Sequence, residues 1–154
     1  MAWVAPNETS EMRAYGLDGT LRMLVRTPGA ELPVTDRDVE FVQRAALDSL
    51  RSESDRVMER RAFAMSGPPS SVPALLFLVV DARDYLWVQP HPRAEQPHPP
   101  WRVYRPDGAW LGTVTLPAGR VLEIGVDYVL VVGADSDGAE VVQVWRLAGG
   151  GEVG

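Results

Sequence analysis

A mostly β chain of repeated antiparallel meanders, up to four short strands each, with one α-helical insertion, is predicted by three observations. Residues 12–30, MRAYGLDGTLRMLVRTPGA, align without a gap to residues 101–119, WRVYRPDGAWLGTVTLPAG. Upstream of each stands a second match, Trp3-Val4-Ala5-Pro6 against Trp87-Val88-Gln89-Pro90. A partial third copy runs through Tyr128–Val132 and Val142–Leu147. Self-similarity at a fixed period marks a repeat fold.

The elements follow in order. Residues 2–6 read as a short strand. Glu11–Gly16 lead into the turn Leu17-Asp18-Gly19-Thr20, and Leu21–Arg26 return from it. Asp-Gly between apolar runs signals a hairpin, because glycine tolerates the positive φ that the turn needs. Pro28-Gly29 end this set.

Residues 35–64 change period. Thr35 caps a helix, and Asp38 takes the reciprocal capping-box position. Val34 and Val39 are placed as a staple across that cap. Val39, Val42, Ala46 and Leu50 then follow helical spacing. A second helix covers about Glu53–Phe63, and its charged face reads as solvated surface.

Ser66–Pro73 is a loop. Pro73–Asp81 is an apolar strand expected deep in a sheet, followed by the turn Asp81–Asp84 and the strand Tyr85–Gln89. Recurrent proline makes residues 90–100 irregular. Trp101–Tyr104, the turn Pro106–Gly108 and Trp110–Leu116 complete that set. The last set is Arg120–Ile124, Tyr128–Val132, the turn Asp135–Gly138 and Glu140–Leu147. The Gly-rich residues 148–154 read as a disordered tail.

With the insertion removed the spacing is regular. Tyr85 to Tyr128 is 43 residues and Trp101 to Val142 is 41. Four short strands at such a period make a β-propeller blade. The expectation is a partial propeller over residues 1–147, of about two and a half blades. Residues 2–28 supply the second to fourth strands of one blade, 73–117 all four of the next, and 120–147 the first three of another.

Composition narrows the chemistry. The chain has 154 residues, a net charge of −6, no Cys and no Lys. The acidic balance argues against a nucleic-acid partner held through its phosphates. Lacking Cys, the chain makes no disulfide, thiolate nucleophile or cysteine-ligated zinc. Lacking Lys, it makes no Schiff base and has no Walker lysine. The N-terminus shows no signal peptide, and the longest apolar run, Ala74–Val80, is far short of the roughly 20 residues of a membrane helix. No membrane span is expected.

The candidate sites are few. His91 and His98 lie in the Pro-rich loop with only Glu95 nearby, so metal binding is not expected there. Asp135-Ser136-Asp137-Gly138 looks like the opening of a calcium loop but reads as a hairpin turn, since flanking helices and most later ligands are missing. No Ser/His/Asp set and no phosphate-binding glycine motif is present. Trp3, Trp87 and Trp101 occupy repeat positions and read as packing residues rather than a ligand platform, as do Trp110 and Trp145. Asp81, Asp84 and Asp127 stand at turns between the innermost and second strands. They are the best candidates for lining a ligand site, with hydrogen-bond acceptance from the turn backbone as the plainer role. The helical insertion is the alternative binding surface.

Asp81…Tyr85-Leu86-Trp87-Val88, Trp101–Gly108 and Leu111–Pro117 together resemble the blades of bacterial six-bladed NHL-like propellers. Glu123–Leu130 is similar to that group's final blade, and the Pro-Val-Thr-Asp opening of the insertion is similar too. The group often has Gly where Asp84 stands. The resemblance implies the C-terminal part of such a propeller, either a fragment or a small descendant, with secreted or periplasmic relatives. Without a catalytic set, the expected function is a non-catalytic binding or assembly scaffold, with no cofactor, partnered by itself or by another propeller fragment. The alternatives are a metal-dependent hydrolase or lactonase-like enzyme, as some related propellers are, and a gene remnant. The enzyme reading is weakened because Asn7 is the only Asn.

Overall fold

The computed structural model describes residues 1–6, 11–27, 33–67 and 74–147. The strand end at Pro28-Gly29, most of the loop before Pro73 and the tail 148–154 lie outside the described residues. Ten strands and two helices are described, in the order β1 (Ala2–Val4), β2 (Glu11–Tyr15), β3 (Leu21–Arg26), α1 (Asp36–Ser49), α2 (Glu53–Ser66), β4 (Leu75–Val80), β5 (Leu86–Pro90), β6 (Trp101–Tyr104), β7 (Trp110–Val114), β8 (Arg120–Ile124), β9 (Tyr128–Ala134) and β10 (Glu140–Arg146). They form an N-terminal sheet β1-β2-β3, a central sheet β4-β5-β6-β7 and a C-terminal sheet β8-β9-β10, all antiparallel meanders.

The sheets stack face to face because side chains alternate across each strand. Leu86, Val88 and Tyr104 of the central sheet pack against Met12 and Val25 of the N-terminal sheet, with Trp3 and Met23 beside them. Trp87, Trp101 and Val103, on its opposite face, pack against Ile124, Val129 and Val131 of the C-terminal sheet. Each fully covered side chain of this size contributes roughly 1.5–3 kcal/mol. The repeat governs these faces. Trp3 and its counterpart Trp87 both look toward the following sheet, as do Met12 and its counterpart Trp101.

One backbone device closes four hairpins. In each, the first turn residue donates its N–H to a carbonyl four residues on and accepts from the N–H three residues on. The pairs are Gly16 with Thr20 and Gly19, Asp81 with Tyr85 and Asp84, Arg105 with Ala109 and Gly108, and Asp135 with Ala139 and Gly138. The fourth turn position has positive φ in every case: Gly19 76°, Asp84 64°, Gly108 83° and Gly138 79°. Asp84 alone carries a side chain in that left-handed region, which suits glycine. Asp84→Gly is therefore expected to stabilise the fold by about 0.5–1 kcal/mol, seen as a raised thermal midpoint; an unchanged or lowered midpoint would count against this account of the turn.

Two features differ from the sequence expectation. The apolar strand β4 is not deep in its sheet; it is the edge, with Leu76, Phe77 and Val80 exposed. It begins its meander, so only β5 pairs with it, and its nearest neighbour beyond is β8. The helices do form, and Thr35 and Asp38 make the capping box. Yet their only buried residue is Asp38, not an apolar stripe.

That Asp38 explains how the insertion is attached. Arg93 of the Pro-rich loop donates Nη2 to Asp38 Oδ2 at 2.6 Å and to the Pro33 carbonyl at 2.7 Å. The Ala94 N–H reaches Oδ1 at 3.2 Å, and Thr35 donates its hydroxyl to Oδ2 at 2.8 Å. The loop itself is tied, with Arg93 and Gln96 exchanging backbone hydrogen bonds of 3.2 and 3.0 Å. The Arg93 guanidinium, with the capping donors, holds the Asp38 carboxyl well below the usual carboxylate range. Among the described residues no helix is long and apolar enough to cross a membrane.

Candidate functional site

The β4–β5 and β8–β9 turns lie side by side, joined by the Ala82 N–H donating to the Ile124 carbonyl at 3.2 Å. Beside them a cavity of about 520 Å³ opens between the central and C-terminal sheets. Tyr85 and Trp87 form one wall and Leu111–Val114 of β7 another. The β8–β9 turn and Leu147 close it, the Leu147 N–H donating to the Asp127 carbonyl at 2.8 Å.

Asp81 and Asp127 are brought to this cavity; Asp84 is not among its walls. Asp81 is buried and its carboxylate is occupied. Oδ1 accepts the N–H groups of Arg83 at 2.8 Å and Tyr85 at 2.9 Å, and Oδ2 accepts the indole N–H of Trp87 at 2.8 Å. Asp135 makes the same two turn contacts, from Asp137 and Ala139 at 2.9 Å each, but exposed and without an indole. Asp81 is thus a turn acceptor that also anchors a core tryptophan.

The free polar groups are others. Arg83 and Asp127 are exposed at the cavity rim, and neither joins an ion pair among the described residues. Sequence reasoning passed over Arg83; its signal was a cation in the turn beside Asp81. The walls hold the hydroxyls of Tyr85 and Thr113 and no histidine. Such a lining can enclose a small, largely apolar molecule and meet a charge at its mouth.

His91 turns Nδ1 to the Pro92 carbonyl at 2.9 Å, and His98 is exposed. Among the described residues no three His, Asp or Glu side chains converge as metal ligands would. Trp110 and Trp145 stand partly in solvent, unlike Trp87 and Trp101. The insertion offers a largely polar groove lined by Glu40, Gln43, Arg44, Leu47, Asp48 and Arg60. Comparison with protein-family models, curated proteins and solved structures found no match.

Proposed function

We propose that this chain is a β-propeller-type scaffold, similar to the NHL-like group, whose sheets are successive blades and whose role is binding and assembly rather than catalysis. The observation that carries the reading is the equivalence of faces. Residues matched in the repeat take the same side of successive sheets, so each sheet is one module of a stack. The turn acid best placed to hold a ligand, Asp81, is engaged by three donors of its own chain. The cavity walls hold no histidine, the commonest general base.

The test is a hydrolysis assay on purified protein, with lactone and ester substrates and calcium, zinc or manganese added. No turnover above a buffer control is expected with any of the three metals. Metal-dependent turnover that Asp127→Ala abolishes while leaving the fold intact would establish the enzyme reading instead.

A further inference from the structure

We infer that the partner of this scaffold is a second copy of the same chain, joined head to tail, the open face of the C-terminal sheet seating on the open face of the N-terminal sheet. The inference rests on the proposed reading and deepens it.

The two joints inside the chain are of one kind. In each, the face bearing the Trp87-type residues packs onto the opposite face of the next sheet. The C-terminal sheet uses Val129 and Val131 inward, so Leu130 and Val132 point outward, and register places Val144 and Val142 beside them. Leu130 is the repeat counterpart of Trp87, and Val142 and Val144 are the counterparts of Trp101 and Val103. Those counterparts are at most 7% exposed, whereas Val142 is 60% and Val144 71% exposed. The outward face is thus a blade-to-blade surface that the described residues leave uncovered.

The matching surface is at the other end. On the central sheet Leu86 and Val88 receive the preceding sheet. Their counterparts Ala2 and Val4 point away from the central sheet, and Val4 and Leu24 are exposed there. Continuing the internal joint from one copy to the next covers both surfaces at once. A joint of unlike patches closes into a ring or runs on as a filament. Propellers typically close with about four to eight sheets. Three described sheets per copy put a ring of two copies inside that range and leave one or three copies outside it.

The absence of native Cys permits a direct test. Light scattering of the wild type should give twice the chain mass. Val144→Arg should give the single-chain mass with an unchanged sheet signal in circular dichroism. Single variants Val4→Cys and Val144→Cys, treated with a short bis-maleimide, should cross-link only when mixed. Self-cross-linking of Val144→Cys alone, a wild-type monomer at high concentration, or a ladder of larger masses would each overturn the head-to-tail pair. A monomer without metal-dependent turnover overturns this joint alone and leaves the scaffold reading standing.

Discussion

Asp81→Ala is expected to destabilise the protein by about 3–5 kcal/mol, because a charged acceptor of three hydrogen bonds is lost and its donors are left without a partner. The Trp87 indole N–H is the costliest of them, since Trp87 is only 6% exposed. The N–H groups of Arg83 and Tyr85 lose the acceptor that shapes the β4–β5 turn. Asp81→Asn should recover part of this, because its carbonyl oxygen still accepts from the Arg83 and Tyr85 N–H groups while its amide NH2 faces the Trp87 indole N–H without an acceptor. Trp87→Phe separates packing from hydrogen bonding. Combined with Asp81→Ala it should cost less than the two changes added, by about 1–3 kcal/mol. Urea denaturation followed by far-ultraviolet circular dichroism measures all of these. Wild-type stability in Asp81→Ala, with loss of a bound cation, would make Asp81 a ligand and not a structural acceptor.

Arg93→Ala should release the helical insertion and leave the sheets standing. Removing one member of a largely buried ion pair costs about 2–4 kcal/mol when the other charge stays buried. Here the pair joins α1 to the loop after β5, and α1 and α2 bury no apolar residue to replace it. The loss therefore falls on the insertion. Hydrogen exchange should show fast amides throughout α1 and unchanged protection in β5, β6 and β9. The same pair sets a pH dependence. The folded Asp38 carboxyl is held below its ordinary value, so its contribution is complete above the unfolded carboxylate pKa of about 4 and declines as pH falls below that. Helical signal should fade in acid before sheet signal, and Arg93→Ala should remove that difference. Loss of helix and sheet together at one pH would contradict the local attachment.

Much of the fold was legible because its signals are local. The four hairpins announce themselves through Asp-Gly or through Asp at the first turn position, and the Thr35–Asp38 box through its spacing. Face assignment was not legible, since Leu86-Trp87-Val88 and Val129-Leu130-Val131 are apolar throughout and carry no alternation that says which residue meets which sheet. The attachment of Asp38 to Arg93 was not, as 55 residues separate them and nothing in a Pro-rich loop marks its partner. The edge position of β4 was hidden for a related reason. An apolar run reads alike whether strands pair with it on both sides or on one. At the site, Asp81, Asp84 and Asp127 stand out in the sequence as turn acids, and only Asp81 and Asp127 line the cavity. The indole bond that occupies Asp81 depends on the register of Val79 against Trp87, which sequence alone leaves open.

The equivalence of the sheets as stacked modules is tested most directly by crystallography of the purified protein, reading what covers Leu130, Val142 and Val144. The account predicts a neighbouring N-terminal sheet there, with Val4 and Leu24 against these residues as Val129 and Val131 lie against Trp87 and Trp101. The same three residues facing solvent in every copy, or facing their own equivalents across a twofold axis, would contradict it.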